Sequence, residues 1–347
     1  MMTNKRPANS ASVERLLELW ADRYIPNWST LHIEEDFLTI LQLVEVALPS
    51  GRVETVTKVR GCLQIYYDIA WGETNTLFSY IPNVLKQSEA LSLTFFVKQV
   101  YEKILEIYQQ QSLPAIALLV SPALEMPVVE HLAKELDPVL LELQKQYLLV
   151  QNPCAVGFIS TPFHFCNQFI LSQLTAPEQV LISPYFKFVE EQVCIPWQRV
   201  CAAAAQHHLD SPTLALVQQM LPLSQDIAET VYRQASQLYF THRSRRGGLS
   251  DRAVALSVIR DLDTFQGYLW LCVLEESMTA VEQELIPMCL KVFPCIDVSW
   301  ELVRQVLQLL VEELLTRMEP EPMHRLVPYV QAMQQLFSNF ETRQYRG

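Results

Sequence analysis

The chain has 347 residues, half of them hydrophobic and only 18 % charged, which is enough apolar material for a large core and too much for a disordered chain. Its 26 Lys and Arg against 38 Asp and Glu give a formal charge of −12, which opposes a whole-surface grip on nucleic acid or anionic lipid and favours a basic partner surface. It carries eight glycines, where average usage of about 7 % would supply roughly two dozen, and this scarcity excludes most hairpin-rich β folds and Gly-rich nucleotide loops.

Met1–Asn9 is polar, and no apolar run follows it, so no secretory signal is expected; residues 1–10 read as a disordered N-terminus. Val13, Leu16, Leu17 and Trp20 repeat at helical spacing and predict an opening helix. A second helix near Ile33–Leu48 places Phe37, Ile40, Leu41 and Val44 on one face, and a third, Ala90–Gln111, does the same with Leu93, Phe96, Val97, Val100, Ile104 and Ile107. Val53–Val59, Ala115–Val120 and Ala155–Ser160 are ambiguous between strand and helix and are read as helix or irregular structure. The stretch Gln146–Pro177 lacks Asp, Glu, Lys and Arg, but Asn152, Pro153, Thr161, Pro162, Asn167 and Gln168 interrupt it. It therefore predicts a buried hairpin rather than a membrane span. Asp137-Pro138, Thr161-Pro162, Ser183-Pro184 and Ser211-Pro212 each offer an N-cap before proline at a first helical position, and Thr175 and Glu178 have capping-box spacing. Trp300–Met318 carries a last stripe of Leu302, Val303, Val306, Leu309 and Leu310, with Glu312 and Glu313 towards solvent. These elements predict an all-α multi-helix bundle with at most minor extended segments. The organisation expected is an N-terminal helical part over 11–112 and a larger C-terminal bundle over 121–342, with a boundary near 110–127.

Most candidate chemistry fails on spacing. The eight cysteines contain no CxxC pair and read as small buried hydrophobes. His207 and His208 are adjacent and point about 100° apart on a helix, so they cannot share a metal. Cys201 with His208, and His131 with Glu135, lack further ligands, so structural histidines and no metal site are expected. There is no Gly-x-Ser-x-Gly elbow. Cys166 beside His164 lies in apolar sequence, where a thiol resists ionising. Asp261 with Asp263, and Glu275 with Glu276, form no recognisable acid–base pair. The aromatic segments Phe163–Phe169, Tyr185–Phe188 and Tyr268–Trp270 read as core. No catalytic residue and no cofactor are predicted.

One loop stands apart. His242, Arg243, Arg245, Arg246, Gly247, Gly248, Ser250 and Arg252 concentrate positive charge in an acidic protein. The Gly-Gly pair allows a tight backbone, and Ser250 is placed to cap a helix starting near Asp251. Forked guanidinium donors beside a helix N-terminus suit a phosphate, an acidic prosthetic group or an acidic protein surface. A solvated linker whose arginines neutralise nearby acidic helices is the plainer alternative.

The stretches SPYFKFVEEQVCIPWQRVC, Ser183–Cys201, and HRSRRGGLSDRAVALSVIRDLDTFQGYLWLCVLEESM, His242–Met278, resemble uncharacterised conserved helical proteins of cyanobacteria. The resemblance implies a cytosolic or thylakoid-surface setting and no activity. The expectation is a cytoplasmic, non-enzymatic assembly or regulatory factor that uses the arginine loop on an acidic protein partner. A helical protein holding an acidic cofactor such as a tetrapyrrole, acting as an enzyme or not, is the alternative; a DNA-binding regulator relies on the same arginines and runs against the net charge. Peripheral contact with a membrane surface stays open, and nothing in the sequence sets the oligomeric state.

Overall fold

The apolar stripes fold as thirteen α-helices among the described residues, with a single hairpin of two-residue strands, in a computed structural model. The structure describes residues 11–21, 24, 37–77, 87–111, 132, 135–136, 138–140, 142–143, 154–245 and 247–344. The protein is all-α, as the glycine scarcity predicts. No helix among the described residues is long and apolar enough to cross a membrane. The chain forms two compact units, one of Met1–Trp20 with Cys194–Gly347 and one of Ala21–Val193. The segment where the sequence suggests a boundary lies mostly outside the described residues, and the helices on either side of it belong to the same unit. The expected disorder of residues 1–10, the cap at Asp137, and Ala115–Val120 also fall outside the described residues.

In the Ala21–Val193 unit, α2 (Phe37–Ala47) turns through Leu48 into α3 (Pro49–Leu77), and α4 (Gln87–Gln110), α5 (Cys154–Leu171) and α6 (Ala176–Cys194) complete the packing. Val53–Val59 is therefore helix, and Ala155–Ser160 opens α5. The register of α2 differs from expectation: Leu43 and Ala47 are buried and Leu41 is 48 % exposed. α2 contacts α3, which it meets across the single residue Leu48. Thr161-Pro162 and Ser183-Pro184 do not start helices; Pro162 and Pro184 sit inside α5 and α6. Each proline deletes one ladder hydrogen bond, and the buried Phe163 after Pro162 and Ile182, Tyr185 and Phe186 around Pro184 anchor the helices there. Thr175 forms half of its capping box, donating its N–H to Glu178 Oε2 at 2.8 Å. A buried polar network ties α4, α5 and α6 together. Tyr101 donates to Asn167 Oδ1 at 2.7 Å, Asn167 Nδ2 reaches Glu190 Oε2 at 3.2 Å, and His164 Nδ1 meets Glu190 Oε1 at 2.6 Å. Tyr101 also stacks on Phe163 and meets Phe186 edge-on, so these aromatics are core.

The other unit begins with α1 (Ala11–Ala21), whose Leu16, Leu17 and Trp20 are buried as predicted. It continues with α7 (Trp197–Ala204), α8 (Pro212–Met220), α9 (Ser224–Leu238), α10 (Arg252–Glu275), a π-helical turn Val281–Leu285, α11 (Ile286–Val292), α12 (Trp300–Thr316) and α13 (Pro320–Gln344). Trp20 stacks on Trp197 with centroids 4.2 Å apart, and Trp300 stacks on Phe337 while donating Nε1–H to its carbonyl at 2.9 Å. Ser211 caps α8 as expected, accepting from Leu214 N, with Pro212 in the first turn. Leu302, Val303, Leu307 and Leu310 bury the face of α12. Helices α9 and α10 pack on each other, and α12 packs on α9. The short link between α9 and α10 carries the arginine loop.

Candidate functional site

The loop is a built hairpin rather than a slack linker. Strands β1 (Arg243–Ser244) and β2 (Gly247–Gly248) pair antiparallel, Arg243 opposite Gly248 and Ser244 opposite Gly247. Gly247, the first residue of β2 and paired with Ser244, takes φ +127°, a conformation that favours glycine. A β-carbon there would also run into the Asp251 carboxylate. Ser244 Oγ donates to Gly247 O at 3.0 Å, and Tyr232 donates its hydroxyl to Leu249 O at 2.9 Å. The Gly-Gly pair therefore forms the second strand of the hairpin, after the turn.

The helix cap is a correction. Asp251, not Ser250, is the N-cap residue of α10, and Ser250 is exposed. Asp251 turns its carboxylate back into the hairpin, where Oδ2 accepts from Gly248 N at 2.7 Å. An anion bound at this helix start would meet that carboxylate and compete with it for the Gly248 N–H, which weighs against a small phosphate.

The arginines divide by role. Arg245 anchors the hairpin tip: its backbone N–H donates to Ile296 O at 3.0 Å, and its Nε meets Asp297 Oδ2 at 3.2 Å with both side chains more than half exposed. Asp297 holds its place in the left-handed region at φ +58°. Arg243 and Arg252 are exposed. Arg246 lies outside the described residues. His242 points inward instead, its backbone N–H donating to Tyr239 O at 2.9 Å and its Nε2 buried with no hydrogen-bond partner. Three large apolar side chains accompany the exposed arginines, Leu238 at 60 %, Phe240 at 77 % and Leu256 at 48 % exposure. Sequence reasoning missed these; Phe240 stands three residues before Arg243 and was readable as a non-core aromatic once α9 was ended near Leu238.

Under the hairpin, a cavity of about 100 Å³ lies between α9, α10 and α12. Its walls are mostly aliphatic and aromatic, among them Val258, Phe265 and Val306, and His242, Ser244, Ser257 and Asp261 contribute the polar atoms. Drug-sized pockets run to about 300–1,000 Å³, so this space does not admit a tetrapyrrole.

Elsewhere the histidines and cysteines serve structure. His207 bridges Ser211 Oγ at 3.0 Å and Leu274 O at 2.8 Å, while His208 stays exposed beside Asp210. Glu135 pairs with Lys103 at 3.0 Å, and His131 lies outside the described residues. No group of three or more His, Cys, Asp or Glu is placed to hold a metal among the described residues. Glu275 is engaged by Arg199 at 3.5 Å, and Arg199 also holds Glu284 at 2.6 Å. Burial pushes the Cys166 thiol up to about 12 and the Cys272 thiol up to about 11, and lifts Cys289 well above its ordinary value. Since the thiolate is the reactive form, iodoacetamide near pH 8 should alkylate these three in the native protein about two or more orders of magnitude more slowly than after unfolding. Peptide mapping by mass spectrometry reads this directly, and native labelling of Cys166 at the unfolded rate would refute the burial.

In comparisons with protein-family models, curated proteins and solved structures, this chain matches none.

Proposed function

We propose that this protein is a non-enzymatic interaction factor, with a role in assembly or regulation, that docks an acidic protein partner on the corner formed by the hairpin and the ends of α9 and α10. The observation that carries the reading is the joint exposure of Arg243 on the hairpin, Arg252 at the start of α10 and Leu238, Phe240 and Leu256 in the same stretch of chain, on a body of net charge −12. Exposed aromatic and guanidinium side chains are the residue types that anchor protein interfaces, and charge-assisted bonds to carboxylates would set the register. The cytoplasm is the setting that fits such a corner.

Asp297 already engages Arg245, so Arg243 and Arg252 are the arginines to test. The double variant Arg243→Ala/Arg252→Ala should lose at least about tenfold in partner capture from its source cells at moderate salt, with unchanged circular dichroism. Phe240→Ser should cause a comparable loss. Undiminished recovery of the same partner by both folded variants would reject this surface.

A further inference from the structure

We infer that the cavity between α9, α10 and α12 is a binding site for one small hydrocarbon molecule, a single ring in the simplest case, held by packing alone with no hydrogen bond to the protein. The inference does not depend on the partner surface, because Arg243 and Arg252 take no part in the cavity walls.

The walls divide by burial. Leu249, Val254, Leu262, Phe265, Leu302 and Leu307 form an interior lining that is buried and wholly apolar. The four polar wall residues, His242, Ser244, Ser257 and Asp261, are each only half-buried. Three of them already have protein partners: Ser244 donates to Gly247 O, Ser257 accepts from Arg260 at 3.3 Å, and Asp261 pairs with Arg260 at 3.8 Å. His242 keeps its Nε2 buried, out of reach of anything in the cavity. A polar ligand group taken into this interior would lose its water and gain no partner. An acid fits worst, since its carboxylate would enter a wall that already holds Asp261.

The volume sets the size. A cavity of about 150 Å³ lined by Leu, Ile and Phe stays dry and takes benzene. The space here is about 100 Å³ and opens to one side, so one ring or a chain of about six carbons fills it. Filling it supplies the lining side chains with the contacts that close-packed interiors normally provide. The ligand therefore binds the folded chain alone and stabilises it.

Methyl-selective carbon-13 NMR of the full-length protein, titrated with toluene and with benzoate to about 5 mM, tests the inference. Toluene should bind saturably at one site per chain, shift the methyl signals of Val254, Leu262, Leu302 and Val306, and raise the midpoint of thermal unfolding. Benzoate should bind at least about tenfold more weakly. Val306→Phe should fill the space and weaken toluene binding by at least about tenfold. Absence of saturable toluene binding, binding that leaves those four methyl sets unmoved, equal affinity for toluene and benzoate, or full binding by folded Val306→Phe would each overturn the site. The wild-type titrations decide the matter even where the variant fails to fold.

Discussion

Gly51→Ala should destabilise the Ala21–Val193 unit by about 2–4 kcal/mol, whereas Gly61→Ala and Gly72→Ala, on the same helix, should leave it unchanged or raise its stability by up to about 1 kcal/mol. All three glycines lie in α3, so helix propensity favours alanine at each. Space divides them. A β-carbon at Gly51 would press on Glu45 O, and would stand 2.6 Å from Val46 Cα and 2.7 Å from Val46 O. These are backbone atoms of α2, and the one-residue turn at Leu48 gives α2 no slack to retreat. At Gly61 and Gly72 nothing stands within 4 Å of the added carbon. Relief of the clash would require opening the α2–α3 corner, where Leu43 and Ala47 are buried. Thermal or denaturant unfolding of the three variants reads the difference, and a shift of the same sign and size for all three would show that α2 does not approach α3 this closely.

The sequence made the helices with broad single-faced stripes legible. Leu16 and Trp20 in α1, Val97, Val100 and Ile104 in α4, and Leu302 and Leu310 in α12 repeat at the helical period and are buried where the period puts them. Its failures have specific causes. A cap residue before proline signals a helix start at Thr161-Pro162 and Ser183-Pro184, yet a helix with buried side chains beside the proline, as at Phe163 and Phe186, tolerates the loss of one rung. The face of α2 was misjudged because its mean composition is apolar all round, and only the tertiary contact with α3 selects Leu43 over Leu41. At the candidate site, the Gly-Gly pair marked an unusual backbone from residue type alone, since positive φ at Gly247 is a local requirement. The capture of Arg245 by Asp297 was not, because 52 residues separate the partners and no local pattern couples them. Nor was the cavity, whose walls come from three helices, the hairpin and the Phe293–Val298 segment, all between Ala235 and Leu307. Asp251 shows a third kind of miss: Ser250 and Asp251 are both good caps, and the choice between them was made by the hairpin, which needed a carboxylate for the Gly248 N–H.

Arg52→Met should cost the same unit about 3 kcal/mol, more than any exposed arginine in the chain. Arg52 is 1 % exposed, on the first turns of α3. Its Nε donates to Ala47 O at 3.1 Å and its Nη1 to Tyr108 O at 3.2 Å. Those carbonyls belong to the last turns of α2 and α4, where helices carry partial negative charge and lack internal donors. One buried guanidinium thus caps two helix ends, and it does so lying 4.7 Å above the Tyr108 ring. Methionine fills much of the volume but bonds neither carbonyl, leaving two buried acceptors bare. Removal of a buried cation's desolvation penalty offsets part of that loss, which holds the expected figure below the sum of two unmet acceptors and the ring contact. Arg52→Lys should fall between, because an ammonium keeps the charge but lacks the planar fork that reaches both carbonyls at once. Denaturant titrations of the two variants, with Tyr108→Leu to close a double-mutant cycle, separate the contributions: a coupling of about 0.5–2 kcal/mol between Arg52 and Tyr108 is expected. If Arg52→Met unfolds within about 0.5 kcal/mol of the wild type, the two helix ends do not depend on this side chain, and the corner that fixes Gly51 must be held by apolar contact alone.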